Sequence, residues 1–471
     1  MSGIPTADPG GNLWAISGRV VTMDRSDAVL DEAVLYIDSQ DIVDIRPLGS
    51  PAPAEFAEVP VVDSAGTLYP GLIELHNHLP YNVLRTWQVP RRFDRRDQWG
   101  RHEEKFRFIT APMRVMGETE GLIEAVIRYV ECKALVAGTT TSQGITLFSA
   151  PGSQRFYRGI VRNVEQTFDS NRLPRARAKI SDVDPGNIES FFERLRESSC
   201  FLLHLSEGVD ENARRHFQSL QLPDGQWAIT RQLAGIHSLG LSSDDHSIYG
   251  ERDGAIVWSP LSNLLLYGAT LDLSSVHENS IRLGLGSDWS PTGSKNLFGE
   301  MKAAMVVSGL QGDEFSSKDV LAMATRSAAD ILGWGDSLGT LEPGKLADFF
   351  VLQGVDGDPY ESLLSAAESR IKLVVIDGVP RFGTEAMMSE FGATTESITI
   401  GGDTRALNLA QAEADPMVGA LTLSQARQRL EDGFAQIGRL GNVVSSRMLA
   451  ESAGAESAGR EAAVDQPRWK I

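Results

Sequence analysis

The chain has 471 residues, of which 42% are hydrophobic and 23% are charged, and its formal net charge is -19. This length suffices for one large domain and a smaller one, and the acidity disfavours nucleic acid or an anionic membrane surface as the main partner. The only cysteines, Cys132 and Cys200, exclude a disulfide framework and a cysteine-based metal site.

The N-terminal residues contain neither a basic region nor a long apolar run of the kind found in secretory signals. No later apolar run reaches the length that crosses a membrane. We therefore expect a cytoplasmic protein with no membrane partner.

Short alternations of apolar and polar residues mark the beginning of the chain, from about Leu13 to Val62. This period of two is typical of small antiparallel strands. The same signal returns late in the chain, where Asp377-Gly378 is a favoured two-residue hairpin turn. We therefore expect a small composite β-sandwich domain, built from residues 1–67 and 337–400, into which the middle of the chain is inserted.

Residues 68–336 have a different rhythm, in which short apolar runs alternate with helical stretches. Crossover helices between successive strands are typical of a parallel sheet, and eight such runs predict an α/β fold, the (β/α)8 TIM barrel. Active sites of such barrels lie at the C-terminal ends of the strands. The eight runs are "LIELHNH", "TTTSQG", "IVRNVEQ", "RAKISDV", "CFLLHLSE", "QLAGIHSLG", "AIVWSPLSN" and "IRLGLGSDWS".

The last part of the chain predicts a helical extension over residues 401–447 and a tail over residues 448–471. The extension carries apolar residues on one helical face, which would pack on the body of the protein. The tail is rich in small and polar residues, and we expect it to be disordered. The apolar residues of the extension are Leu423, Leu430, Phe434 and Ile437.

Potential metal ligands stand at the ends of several predicted strands. His76 and His78 are two residues apart at the end of the first run, so their side chains would project the same way. His204 lies in the fifth run, His237 in the sixth and Asp288 in the eighth. Three imidazole nitrogens and one carboxylate oxygen suit a divalent ion, with a position left open for water. The pattern predicts one divalent metal ion, zinc in preference to iron.

Acid–base groups accompany these ligands. Glu207 follows His204 by one helical turn and could protonate a substrate, while Asp288 could take a proton from water acidified by the metal. His237 stands at the end of the sixth run. Each residue alone has an ordinary alternative, such as a core histidine, a helix N-terminal charge or a loop cap. Jointly, at successive strand ends, these alternatives become improbable.

Several motifs together resemble the amidohydrolase superfamily, in the branch that contains chlorotriazine hydrolases, cytosine and guanine deaminases, and S-adenosylhomocysteine deaminases. The resemblance extends from about residue 10 to 385. It implies one metal bound by His76, His78, His204 and Asp288. It also implies that Glu207 is the proton shuttle and that His237 orients the water or polarises the substrate. The motifs are "YPGLIELHNHL", "HLSE", "GIHSLGLSSDD", "WSPLSN", "GLGSDWS" and "ATRSAADILGWGDSLGTLEPGKLADFFVL".

The resemblance implies an aminohydrolase that deaminates an aminated nitrogen heterocycle. The close alternative is hydrolysis of a cyclic amide or of another C–N or C–Cl bond by the same site. A non-enzymatic scaffold is a third interpretation, disfavoured because every ligand and the glutamate are retained. A homodimer or higher homo-oligomer is expected from the resemblance alone.

Residues near the barrel mouth are candidates for substrate contact. We expect four of them to line the mouth, and the loop after the first strand adds a group of arginines. Arginine forks recognise carboxylate or phosphate, so this loop is either a lid for an anionic substrate or a solvated run paired with Asp94 and Asp97. The four candidate contacts are Tyr81, Trp87, Gln143 and Asn263, and the arginines are Arg91, Arg92, Arg95 and Arg96.

Two further positions bear on the site. Gly208 follows Glu207 where members of this branch often have threonine. Lys179 in "RAKISDV" would permit two metals if it were carboxylated at the mouth, but it precedes the apparent strand end, and an ordinary lysine is the favoured interpretation. We assign His102, His216, His246 and His277 to the surface or to a lid.

Overall fold

A computed structural model of the chain describes residues 13–144, 159–392, 395–411, 415 and 417–435. Within these ranges the strands are β1 (Leu13–Val21), β2 (Val29–Asp38), β3 (Asp41–Pro47), β4 (Val61–Pro70), β5 (Leu72–Glu74), β6 (Thr139–Ser142), β7 (Arg162–Asn163), β8 (Arg177–Lys179), β9 (Phe201–Leu205), β10 (Leu233–His237), β11 (Ala255–Trp258), β12 (Arg282–Leu285), β13 (Phe349–Gln353), β14 (Ile371–Ile376), β15 (Val379–Thr384), β16 (Glu396–Ile400) and β17 (Asp403–Leu407).

The α-helices of the described ranges lie mainly between the strands from β5 to β13. None of them combines the length and the apolar character needed to cross a bilayer. The helices are α1 (Arg96–Gly100), α2 (Glu103–Lys105), α3 (Ala111–Glu118), α4 (Leu122–Leu135), α5 (Ile188–Arg196), α6 (Glu211–Gln218), α7 (Ser243–Glu251), α8 (Pro260–Tyr267), α9 (Leu273–Glu278), α10 (Leu297–Leu310), α11 (Ser317–Met323), α12 (Arg326–Leu332), α13 (Pro359–Ser365) and α14 (Glu385–Glu390), followed by a helix over 423–435.

Strands from both ends of the chain form one nine-stranded sheet, in the order β16-β17-β15-β14-β13-β4-β1-β2-β3. β4 joins its two halves, because it pairs in parallel with β1 and antiparallel with β13, where Pro70 lies opposite Phe349. Where a sandwich of separate sheets was expected, hydrogen bonds through β4 therefore connect all nine strands. The bounds 1–67 and 337–400 for this region stay a prediction.

Two tight hairpins organise the late strands. Asp377 and Gly378 join β14 to β15 with φ angles of 52° and 70°, the left-handed conformation that two-residue hairpin turns require. Gly401 and Gly402 make the same kind of turn between β16 and β17. β17 lies at the beginning of the segment that was predicted to be a helical extension. These residues form a strand because they pair with β15 and β16.

Along the chain, eight parallel strands, β5 to β12, follow β4 and precede β13. Each of them contains part of one of the eight predicted runs. They form a group β5-β6-β7 and a group β12-β11-β10-β9-β8. The Leu75 amide donates to the Leu285 carbonyl at 3.2 Å, which connects β5 to β12. The Ala176 amide donates to the Val164 carbonyl at 2.9 Å, which connects β7 to β8. Because the strands are parallel, their carboxyl ends meet on one side.

The segment before the helix over 423–435 is attached to α4 by a buried arginine. Arg128 donates from Nε to the Leu421 carbonyl at 2.8 Å and from Nη2 to the Gly419 carbonyl at 3.2 Å. Of the predicted apolar face, Leu423 and Leu430 are buried, as expected. Phe434 is instead 43% exposed, and Ile437 and the tail over 448–471 lie outside the described residues.

Candidate metal centre

The structure brings the predicted ligands together at the carboxyl ends of the parallel strands. The possible ligand atoms of His76, His204 and His237 all lie within 4.8 Å of one another, and so do those of His76, His78 and Asp288. His237 thus joins the four predicted ligands as a further side chain directed at the same point. The Nε2 atoms of His76 and His78 lie 3.1 and 3.7 Å from Oδ1 of Asp288.

Backbone contacts between the ends of the first and last parallel strands hold three of these ligands. The Asp288 amide donates to the His76 carbonyl at 3.0 Å, and the His78 amide donates to the Asp288 carbonyl at 2.6 Å. Asp288 and His237 both have positive φ angles, 61° and 67°. Such conformations are costly for non-glycine residues and persist where the surroundings impose them, often at functional sites.

The donor set fits a divalent metal ion. Nδ1 of His204 is buried and has no hydrogen-bond partner among the described residues, which is costly unless a ligand binds there. Burial lowers the pKa of His78 to about 3, and burial likewise holds the pKa of His204 well below its ordinary value. Neutral imidazoles present the lone pair that a metal needs.

The carboxylate of Asp288 is held in its ionised form. Burial alone would raise its pKa, but the hydrogen bond with His76 and the surrounding imidazoles outweigh this effect and lower the pKa below the ordinary value. Its second oxygen, Oδ2, accepts a hydrogen bond from the Ser262 hydroxyl at 2.6 Å. An ionised carboxylate is both a metal ligand and a proton acceptor.

Amide side chains orient two of the imidazoles. Oε1 of Gln143 accepts the Asn77 amide at 3.0 Å and lies 3.3 Å from Nδ1 of His76. Oδ1 of Asn263 lies 3.1 Å from Nδ1 of His237. With a metal ion bound, these acceptors would hold the proton of each ring on Nδ1 and leave the Nε2 lone pair for the metal. Gln143 and Asn263, expected as substrate contacts, thus lie directly behind the candidate ligands.

Glu207 is surrounded by four polar groups, of which the sequence did not point to Tyr267 and Trp99. The Tyr267 hydroxyl donates to Oε1 of Glu207 at 2.7 Å, and Nε1 of Trp99 donates to the Tyr267 hydroxyl at 2.7 Å. Nη1 of Arg96 and Nε2 of His237 lie 3.7 and 3.9 Å from Oε2 of Glu207. Tyr267 ends an apolar helix, where only the rule that a buried tyrosine hydroxyl needs a partner could have marked it.

Aromatic rings stand beside the metal-binding residues. The Trp289 ring lies 5.8 Å from His78 and 5.2 Å from Tyr81, a predicted substrate contact. Trp99 lies 5.6 Å from Trp289 on another side. Trp87, the remaining predicted contact, is buried and packs 6.4 Å from Phe93. The polar centre is therefore bordered by flat, apolar walls.

The remaining positions singled out in the sequence lie elsewhere. The Lys179 ammonium bonds to Ser181 and belongs to neither of the candidate metal clusters among the described residues. His246 is buried and hydrogen-bonded to Ser275 at 2.9 Å, so its expected surface position is wrong; it lies on the inner side of α7. Arg91 and Arg92 are exposed.

Comparison with known proteins gives consistent matches. Residues 237–381 match the Amidohydrolase family. A 5-methylthioadenosine/S-adenosylhomocysteine deaminase of Symbiobacterium thermophilum is 29% identical over 32% of this chain and 37% of its own length. A protein of the same name from Acetivibrio thermocellus is 21% identical over 78% of this chain and 93% of its own length.

A similar fold occurs in the crystal structure of atrazine chlorohydrolase from Arthrobacter aurescens complexed with zinc. That structure has a TM-score of 0.58 and 19% sequence identity, and the match covers 78% of this chain and 94% of the other. The similar proteins are deaminases and hydrolases, which confirms the resemblance that the sequence motifs indicated.

Proposed function

We propose that this chain, which carries an amidohydrolase family domain, is a metal-dependent hydrolase that deaminates an aminated nitrogen heterocycle. One observation carries the proposal: four histidines, an ionised aspartate and a separate buried glutamate converge at the strand ends. The names of the similar proteins support deamination. The flat aromatic walls beside His78 suit a planar substrate.

The proposal includes the architecture that holds the site. We infer that the eight parallel strands and their helices form a (β/α)8 barrel over residues 68–336, since hydrogen bonds connect β5 to β12 and β7 to β8. The nine-stranded sheet would be the second domain. A homodimer or higher homo-oligomer in the cytoplasm also remains part of the proposal.

His76, His78, His204 and Asp288 would hold one divalent ion, for which zinc is our choice because imidazole and carboxylate donors suit it. When bound, such an ion acidifies water and polarises the bond under attack. His237, fixed through Asn263, presents Nε2 to the same space, where it can orient the water or the substrate.

The protons are moved by two carboxylates. Glu207 takes one proton from the attacking water and delivers it to the ring nitrogen next to the reacting carbon. Asp288 then takes the proton of the new hydroxyl group and passes it to the exocyclic amine. The carbon–nitrogen bond breaks, ammonia leaves, and the ring keeps a carbonyl group and an N–H, so that one water is consumed for each ammonia released.

The test combines a substrate panel with metal analysis. The purified protein should release ammonia from at least one member of a panel of aminated purines, pyrimidines, pterins and triazines, and should contain about one metal ion per chain. Chloride or ring-opened product without ammonia would select the alternative hydrolysis. A preparation that neither binds added zinc nor turns over any compound would overturn the proposal in favour of a scaffold.

Two variants separate metal binding from proton transfer. His78→Ala should lower the bound metal and the activity together, because it removes one nitrogen donor. Glu207→Gln leaves all four proposed ligands, so metal content should stay constant while kcat falls by about 10²–10⁴-fold. Loss of metal from Glu207→Gln would show that Glu207 is itself a ligand.

A further inference from the structure

The two oxygens of the Glu207 carboxylate have different surroundings. The side chain is 3% exposed, and Oε1 accepts the Tyr267 hydroxyl at 2.7 Å. Oε2 lies on the side of His237, whose Nε2 is 3.9 Å away, with Nη1 of Arg96 at 3.7 Å. One oxygen is therefore closely bonded, while the other faces the candidate metal centre.

The direction of the bond between Tyr267 and Glu207 follows from Trp99. The indole N–H can only donate, and it donates to the Tyr267 oxygen at 2.7 Å. The tyrosine has a single hydroxyl hydrogen, and the neighbour that can accept it is Oε1 of Glu207. Oε1 must therefore remain an unprotonated acceptor as long as this chain of hydrogen bonds is intact.

The start of α1, the helix that carries Trp99, is itself fixed against the backbone of Glu207. The Arg96 amide donates to the Glu207 carbonyl at 3.1 Å, and the Val209 amide donates to the Asp94 carbonyl at 2.7 Å. Gly208 makes this approach possible, because a Cβ at this position would lie 2.4 Å from the Asp94 oxygen. The donor to Tyr267 thus has a defined position relative to the carboxylate.

We propose that Tyr267 is a positioning residue that commits Oε1 of Glu207 to accepting a hydrogen bond and thereby assigns the transferred proton to Oε2. This inference rests on the proposed function. In the proposed reaction, Oε2 receives the proton of the attacking water and gives it to the ring nitrogen, while the Tyr267 proton stays on its own oxygen. No additional acid or base is consumed.

The first test is Tyr267→Phe, assayed with a substrate identified by the ammonia-release panel. Without the hydroxyl, the carboxylate can rotate and hold the proton on either oxygen, so kcat should fall by about 10–100-fold with little change in KM. Metal content should be unchanged. Tyr69→Phe is the matched control, because this buried tyrosine also donates a 2.7 Å hydrogen bond, to the Pro359 carbonyl in the nine-stranded sheet; it should leave kcat within about two-fold of wild type.

The decisive test is a double-mutant cycle with Glu207→Gln. If Tyr267 acts through the carboxylate, adding Tyr267→Phe to Glu207→Gln should cause no further loss of kcat, because effects of residues that act as one unit are not additive. Equal losses in both backgrounds, or an unchanged kcat in Tyr267→Phe alone, would overturn the inference. If instead Glu207→Gln has full activity, the proposed function fails and not merely the role of Tyr267.

Discussion

Glu300 on α10 is a buried carboxyl group that the proposed reaction does not use. Its Oε1 accepts the Leu261 amide at 3.0 Å, whereas Oε2 has no hydrogen-bond partner among the described residues. Burial raises the pKa of Glu300 to about 7. The folded protein therefore retains a proton that the unfolded chain releases near the ordinary value of 4.5.

This shift has a defined effect on stability. Because the folded state binds more protons than the unfolded state between pH 4.5 and about 7, the free energy of unfolding should decrease as the pH rises through that range. Glu300→Gln removes the titration, so it should be more stable than wild type by up to about 3 kcal/mol at pH 8 and by little at pH 5. Urea unfolding at both pH values measures this difference; a pH-independent difference would contradict the assignment.

Individual residues differ in how far the sequence could predict them. His76 and His78 could be predicted as neighbours because the side-chain period of a strand is two, and His204, His237 and Asp288 because parallel strands end on the same side. Their convergence follows from those two rules.

Tyr267 and Glu300 could not be predicted in this way. Both lie in apolar helical stretches, where the periodicity indicates only burial. Which group a buried hydroxyl or carboxyl meets depends on how helices pack against distant loops, and a local pattern does not contain that information.

At the scale of elements, the docking of residues 94–96 onto the end of β9 depends on Gly208. Its φ angle is 150°, and a side chain there would collide with the backbone of Asp94 and Arg95. Gly208→Ala should therefore displace the loop, so that trypsin cleaves within residues 91–101 faster and kcat falls. Metal content should be unchanged because the proposed ligands belong to other positions.

A matched control exists for this substitution. Gly225 also has a positive φ angle, 87°, but nothing lies within 4 Å of a Cβ built on it. Gly225→Ala should thus share the conformational cost without displacing the loop. Equal trypsin sensitivity in the two variants would show that contact at Gly208 does not hold the loop.

The strands were more predictable than the loops between them. All eight apolar runs of the middle region contain a strand, and the Asp377-Gly378 turn lies between β14 and β15. The Gly401-Gly402 turn was missed because the residues after it lack a strong apolar alternation and gain their strand conformation from pairing with β15. Tertiary pairing, not local preference, decides that segment.

At the scale of the whole molecule, Arg162 on β7 links the parallel strands to the nine-stranded sheet. Its guanidinium binds Asp348 through two hydrogen bonds, of 2.5 and 3.1 Å, and also contacts Asp377. Arg162 and Asp348 are both nearly inaccessible to solvent. Removing one partner of such a pair leaves a buried charge without compensation.

Arg162→Met should accordingly lower the free energy of unfolding by about 3–5 kcal/mol. Arg231→Met is the comparison, because Arg231 pairs with Asp253 and Asp330 where all three side chains are about half exposed, and each such pair contributes about 0–1 kcal/mol. Urea unfolding at neutral pH measures both. Similar losses in the two variants would mean that the buried contact does not stabilise the junction.

The pairing of β4 with β13 also affects how the protein is made. Pro70 lies opposite Phe349. After Pro70 has been made, the ribosome must therefore add roughly 280 residues before β13 can pair with β4. At about 5–20 residues per second, the open edge of β4 waits for about 15–60 s during translation. An unpaired strand edge is a template for association with other chains. Nascent chains that end before β13 therefore need chaperone protection, and slower translation of the middle region lengthens that need.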